Sequence, residues 1–163
     1  MALYYLDTSA ILKRYRTEKG TEVVDALFES EPRRKLLTSH FSCLEVESVA
    51  ARTLAPRSMM GALANQAYST LLGSFAHDLR EYLQLQPLDG ETLNYSIEIT
   101  RRTCLRPADS IQFASAILAG HGQGEELVLV SSDRELLAAA AGAQVTTIDP
   151  EAADAMEVLK KLQ

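Results

Sequence analysis

Short apolar runs alternate with longer amphipathic stretches along the chain, and this alternation is typical of an α/β protein. Five such runs occur, and most of them are apolar at consecutive positions, as expected of strands that helices cover on both faces. These predicted strands span residues 3–6, 35–39, 82–87, 127–131 and 145–148. The order of strands and helical patterns therefore predicts an α/β sheet flanked by helices.

Helical periodicity fills the segments between the runs. Thr21, Ser42 and Asp89 are candidate N-caps, because each precedes an amphipathic stretch and can accept a hydrogen bond from an unpaired N–H of the first turn. The longest predicted helix spans residues 58–81 and carries a row of side chains at four-residue spacing: Leu63, Ala67, Leu71, Phe75 and Leu79. Residues 107–119 are apolar nearly all round, which predicts a buried helix. A final helix is expected after Pro150.

Composition limits the class of protein. The 163 residues are 47% hydrophobic and 23% charged, which fits one globular domain over residues 1–163 with a sizeable core. The apolar start is interrupted by Asp7, and no stretch approaches membrane-spanning length. We therefore expect a cytoplasmic protein without a membrane segment. Cys43 and Cys104 are too far apart to suggest a zinc site or a disulfide framework.

The formal net charge of −6 argues against a protein that coats nucleic acid through a bulk positive field. Basic residues concentrate in the first third of the chain, with Lys13, Arg14, Arg16 and Lys19 close together. Such a cluster could attract phosphate or could be a solvated helix end, and the second interpretation is the more common one.

Four acidic residues stand at predicted element boundaries: Asp7, Glu45, Asp109 and Asp133. Each has a purely structural interpretation as a helix cap or a partner of the helix dipole. Ser42-x-x-Glu45 and Ser132-x-x-Glu135 also match the capping-box pattern. Asp109 fits this interpretation least well, because it precedes an almost wholly apolar helix where an ionised carboxylate is costly.

The four acids together favour a shared site. If the sheet is doubly wound, strand exits meet at one edge, and carboxylates that converge there stay ionised only beside a compensating cation. Oxygen ligands without His or Cys select Mg²⁺ or Mn²⁺. Glu47 is two residues from Glu45 and points to another side of its helix, so we expect Glu47 to face solvent.

These residues give the chain a resemblance to PIN-domain proteins of the VapC type, the ribonuclease toxins of type II toxin–antitoxin pairs. The matching stretches are YYLDTSAILK, TSHFSCLEVESVAAR, LRPADSIQFASAI and LVSSDRELLAAAAGAQV, which run from residue 4 to about residue 148. The resemblance implies a doubly wound parallel five-stranded sheet in the order 3-2-1-4-5. It also implies that Asp7, Glu45, Asp109 and Asp133 are the catalytic, metal-binding acids, with Ser9 and Ser131 positioning water or phosphate.

The function implied is metal-dependent hydrolysis of an RNA phosphodiester bond, with Mg²⁺ or Mn²⁺ as cofactor. The implied partners are an RNA substrate, a cognate antitoxin and a second copy of the chain. Met59, Met60 and the row that begins at Leu63 are candidate contact surfaces. Two alternatives stay open: a binding module without turnover, and an aspartyl-nucleophile phosphatase, whose usual second Asp is replaced here by Ser9.

Overall fold

The computed structural model describes residues 2–31, 35–54, 61–121 and 124–163, without the side chains of residues 53, 54 and 61–65. Five parallel strands form one sheet in the order β3-β2-β1-β4-β5. Their bounds are β1 Ala2–Leu6, β2 Leu36–Ser39, β3 Gln84–Gln86, β4 Glu126–Val130 and β5 Thr146–Ile148. The predicted sheet order is confirmed, and the five predicted runs coincide with the strands to within two residues at each end.

Eight helices of the described residues surround the sheet. Their bounds are α1 Thr8–Leu12, α2 Thr21–Ser30, α3 His40–Leu54, α4 Gly61–Glu81, α5 Gly90–Thr103, α6 Pro107–Gly120, α7 Arg134–Gly142 and α8 Ala155–Leu162. Strand β1 lies at the centre, with Tyr4 opposite Leu36 of β2 and Leu6 opposite Val130 of β4. The first residue after β1 therefore emerges between two other strand ends.

Both faces of the sheet are covered. Tyr4 and Leu6 belong to a core with α2, α4 and α8, whereas Leu3 and Tyr5 point to the opposite face and pack with α5, α6 and α7. This alternation explains why the strand is apolar at every position. The buried helix predicted over residues 107–119 is confirmed as α6, whose side chains from Gln112 to Ala116 are all buried.

Two predicted N-caps are wrong. Helix α2 begins one residue after Gly20, and the Thr21 hydroxyl donates instead to the carbonyls of Lys13 and Arg16. Helix α3 begins at His40, and Ser39 takes the capping role by accepting a hydrogen bond from the Ser42 N–H at 3.1 Å. The third predicted cap is confirmed, because Asp89 accepts from the Thr92 N–H at the start of α5.

Met59, Met60 and the side chain of Leu63 lie outside the described residues. Further along the same row of α4, Leu71 and Phe75 are buried in the core and Ala67 is exposed. Within the described ranges, no helix combines the length and the apolar character needed to cross a membrane.

Candidate active site

Asp7 lies at the carboxyl end of the central strand and is 5% exposed. Its Oδ1 accepts hydrogen bonds from the Ala10 N–H at 2.9 Å and from the Ser9 hydroxyl at 2.7 Å. Its Oδ2 accepts from the Ser131 hydroxyl at 2.8 Å. Asp7 is thus the N-cap of α1 through Oδ1, and Oδ2 accepts one hydrogen bond, from Ser131.

Burial of Asp7 removes water from its carboxyl group and makes ionisation of that group costly. Burial raises its pKa from 3.8 to about 6, although the three hydrogen bonds from Ala10, Ser9 and Ser131 lower it. The negative charge of Glu45 adds to the rise. A carboxylate in this position gains from a nearby cation, because a cation offsets the desolvation and the repulsion together.

Ser9 and Ser131 connect the loop after β1 to the loop after β4. Besides donating to Asp7, the Ser9 hydroxyl accepts from the Ser132 N–H at 2.8 Å, and the Ser131 hydroxyl accepts from the Asp133 N–H at 2.9 Å. The hydroxyl hydrogens of Ser9 and Ser131 are therefore both donated to Asp7. In this arrangement the two serines orient the carboxylate, and their expected contact with water or phosphate stays a prediction.

Glu45 is held by side chains from two other elements. Its Oε2 accepts from the Thr8 hydroxyl at 2.5 Å and from the Gln112 side-chain amide at 2.7 Å. The capping box predicted for Ser42 and Glu45 is absent, because the Ser42 hydroxyl lies within hydrogen-bond distance of Thr38 and Gln112. Glu47 is exposed and accepts from the Tyr68 hydroxyl, as its helical position predicts.

Asp109 and Asp133 complete the set of acids. Asp109 lies in the first turn of α6 and is partly buried; partial burial raises its pKa, and the charges of Asp133 and Glu45 raise it further. Asp133 is the N-cap of α7 and accepts from the Leu136 N–H at 2.9 Å. The capping box predicted with Ser132 as the cap is therefore wrong by one residue.

The four acids are brought to one edge of the sheet but do not form a closed ligand shell. The charge of Glu45 raises the pKa of Asp7, and the charges of Asp133 and Glu45 raise the pKa of Asp109, so the four carboxyl groups are close enough to interact. Among the described residues, however, no three Asp, Glu, His or Cys side chains meet closely enough to hold a metal ion.

The chemistry of the donor set nevertheless fits a hard divalent cation. The ion pairs that the described residues form through Lys13, Arg14, Lys35 and Arg102 all lie elsewhere, so they do not neutralise this carboxylate cluster. Lys13 and Arg14 are occupied by these pairs, which favours the structural interpretation of the basic cluster over phosphate attraction.

Sequence reasoning missed Gln112, Thr8 and Tyr5, which lie directly beneath the acids. Gln112 is 3% exposed and is the polar residue one turn after Asp109 on an otherwise apolar helix. Its Oε1 accepts from the Tyr5 hydroxyl at 2.7 Å. A buried amide on such a helix needs polar partners, and this requirement was the signal that could have identified it.

Comparison with known proteins supports the fold. The family model described as "PIN domain" matches residues 4–143. Similar solved structures include FitAcB from Neisseria gonorrhoeae, with a TM-score of 0.65, 19% identity and coverage of 91% of this chain and 98% of the other. DNA-bound VapBC from Salmonella typhimurium has a TM-score of 0.61, 15% identity and coverage of 92% and 99%.

A third similar structure is VapC20 from Mycobacterium tuberculosis, described as a toxin that cleaves the sarcin-ricin loop. It has a TM-score of 0.57, 16% identity and coverage of 83% of this chain and 94% of the other. At these identities the structures bear on the fold alone. No curated protein sequence matches the chain.

Proposed function

The chain belongs to the PIN domain family, and on this premise we propose that it is a Mg²⁺- or Mn²⁺-dependent endoribonuclease that hydrolyses RNA phosphodiester bonds in the cytoplasm. The observation that carries the proposal is the placement of Asp7. Its buried carboxylate lies at the exit of the central strand, beside Glu45, and its pKa is raised to about 6. A cap alone does not account for the nearby charge of Glu45, which in turn lies close enough to affect Asp109.

In this proposal Asp7 and Asp109 are the principal metal ligands, and Glu45 and Asp133 complete the set. A bound divalent cation would make an attacking water more acidic and would neutralise charge that develops on the phosphoryl oxygens. Ser9 and Ser131 keep the Asp7 carboxylate in one orientation. Asp109 accepts no hydrogen bond within the described part of the chain, so both of its oxygens are available to a ligand.

The test compares two neighbouring glutamates of α3. Glu45→Gln should lower RNA cleavage by at least about 100-fold, because it removes a ligand charge, and Glu47→Gln should leave cleavage within about twofold. The assay follows a fluorescent RNA with purified protein in Mn²⁺, in Mg²⁺ and in EDTA. Cleavage should stop in EDTA and return with either metal. Full cleavage in EDTA, or RNA binding without turnover in Mn²⁺, would contradict the proposal.

We further propose that the nuclease is the toxin of a toxin–antitoxin pair. Solved structures with this fold are described as DNA-bound VapBC and as a toxin–antitoxin complex from Klebsiella pneumoniae. A groove lies between helix α4 and the turn that follows α1, and Tyr15, Ala67 and Thr70 are among its lining residues. This groove is a candidate antitoxin surface. Thr70→Trp should weaken neutralisation by the protein of an adjacent small gene in a growth assay and leave RNA cleavage unchanged. Neutralisation equal to that of the wild type would exclude this groove.

We also propose that the chain forms a homodimer. Leu93 and Ile97 lie one turn apart on α5 and are 45% and 49% exposed, and Leu88 just before the helix is 39% exposed. Contiguous apolar side chains of this kind are typical of contact surfaces. Ile97→Glu should convert a dimer to a monomer in sedimentation equilibrium. A wild-type chain that sediments as a monomer at high concentration would exclude the dimer.

A further inference from the structure

A buried polar network lies directly under the acidic cluster, and the proposed mechanism does not use it. Its centre is Gln112, which is 3% exposed and contacts side chains from β1, α1 and α3. Asp109 lies one turn before Gln112 on α6, on the side of the helix that carries the site. Gln112 therefore connects the helix that carries Asp109 with the helix that carries Glu45.

The chemistry of the contacts fixes the orientation of the Gln112 amide. A carboxylate can only accept, so the group 2.7 Å from Glu45 Oε2 must be the nitrogen, Nε2. The other end of the amide is then Oε1, which accepts from the Tyr5 hydroxyl at 2.7 Å. A reversed amide would place two acceptor oxygens against each other. Tyr5 thus holds Gln112 in the one orientation that serves Glu45.

The Thr8 hydroxyl closes the arrangement. It donates to Glu45 Oε2 at 2.5 Å and accepts from Gln112 Nε2 at 3.0 Å. Both donors to Glu45 reach the same oxygen, Oε2, and no hydrogen bond from the described residues reaches Oε1. One oxygen of this carboxylate is therefore fixed by the protein, and the other is left for a ligand.

We propose that Gln112 is a positioning residue. Tyr5 orients the Gln112 amide, and the amide holds Oε2 of Glu45 so that Oε1 of Glu45 is presented to the divalent cation. This inference rests on the proposed function. Partners that orient a metal ligand from behind change metal affinity by about 10- to 100-fold when they are removed. The role therefore has a readout in metal binding that does not depend on catalysis.

The central variant is Gln112→Met, which keeps the length of the side chain and removes both ends of the amide. It should weaken Mn²⁺ binding by about tenfold or more, measured by calorimetry or by EPR detection of free Mn²⁺. The control is Thr92→Val on α5, which removes the buried hydrogen bond from Thr92 to the Pro87 carbonyl, away from the acids. This control should change Mn²⁺ affinity by less than about twofold at a comparable loss of thermal stability.

Tyr5→Phe provides a second test if Gln112→Met folds poorly. It should weaken Mn²⁺ binding on its own, but it should have no further effect on Mn²⁺ affinity in a Gln112→Met background, because the Tyr5 hydroxyl is linked to Glu45 through the amide. A merely structural role predicts instead that both variants lose thermal stability and leave Mn²⁺ affinity unchanged.

The outcomes separate this inference from the proposed function. If the wild type binds Mn²⁺ and Gln112→Met binds it equally well, the positioning role is wrong and the nuclease proposal stands. If Gln112→Met weakens binding but the wild type cleaves no RNA, the positioning role is supported and the proposed reaction is wrong. A wild type that binds neither Mn²⁺ nor Mg²⁺ would overturn both.

Discussion

The Asp7 carboxyl group carries a charge where water barely reaches it, at 5% exposure. In the folded chain its pKa is about 6, compared with an ordinary value of 3.8. The folded state therefore binds this proton more tightly than the unfolded state, and the free energy of unfolding must fall as the pH rises between these two values. Above pH 6 the folded state bears the full cost of the buried, ionised carboxylate, which is about 3 kcal/mol.

Asp7→Asn should remove this pH dependence in metal-free protein. We expect the variant to be more stable than the wild type at pH 7 by up to about 3 kcal/mol, and to lose that advantage near pH 4. Urea unfolding in EDTA at a series of pH values measures the difference. Parallel curves for the two proteins would show that Asp7 does not titrate as its burial predicts. Saturating Mn²⁺ should stabilise the wild type but not Asp7→Asn.

At the scale of elements, the sequence predicted the strands and the long helices well, because burial on both faces leaves a clear apolar pattern. It predicted helix starts less well. Ser42 has the residue type and spacing of a cap, yet its hydroxyl contacts Thr38 and Gln112, and Ser39 caps the helix. Gln112 is 70 positions away in the chain. A rule that considers only neighbouring residues cannot predict a contact between residues so far apart in the chain, and therefore cannot predict that it replaces the cap.

The same limit applies to the acids of the site. Their positions at strand exits and helix starts were readable, since a doubly wound sheet gathers such positions at one edge. Among the side chains that orient them, Gln112 could have been identified as an amide on a buried helix, but Tyr5 and Thr8 could not, because they look like ordinary members of a strand and a helix start. Only the packing of α6 against the sheet gives them partners.

Two glycines test how the helices are held. Gly20 is the N-cap residue before α2 and has φ of 89°, and a Cβ there would lie 2.7 Å from the Pro150 carbonyl oxygen. Gly20→Ala should therefore destabilise the protein by about 2 kcal/mol or more.

Gly73 lies on the exposed side of α4, where a Cβ meets nothing within 4 Å. Gly73→Ala should stabilise by about 0.5–1 kcal/mol. Thermal unfolding of both variants provides the comparison, and a stable Gly20→Ala would contradict the close approach to Pro150.

At the scale of the whole molecule, the proposed RNA substrate would have to be bound through local charge, because the chain has a net charge of −6. Arg106 immediately precedes α6 and lowers the pKa of Asp109, and Arg134 follows Asp133 directly. Both arginines are exposed, and neither forms an ion pair with the described residues. On the proposed function, we therefore expect both arginines to contact phosphates of the RNA.

Arg134→Ala should raise KM for RNA and leave kcat almost unchanged, because it removes a phosphate contact and no metal ligand. The slope of log KM against log salt concentration should become shallower by about 0.7, the value expected for one contact to a single strand. Arg102→Ala is the control, since Arg102 is exposed near Glu98 on α5. An unchanged slope in Arg134→Ala would place the RNA backbone elsewhere.

The pairing of the central strand with β4 also has a consequence for synthesis on the ribosome. Leu6 is paired with Val130, and Asp7 Oδ2 accepts a hydrogen bond from Ser131, so these two partners are added only after residue 131 has left the exit tunnel. A nascent chain that lacks β4 has no assembled acidic cluster, even if its first hundred residues have folded. The topology therefore delays assembly of the acidic cluster until β4 and the loop after it have been synthesised.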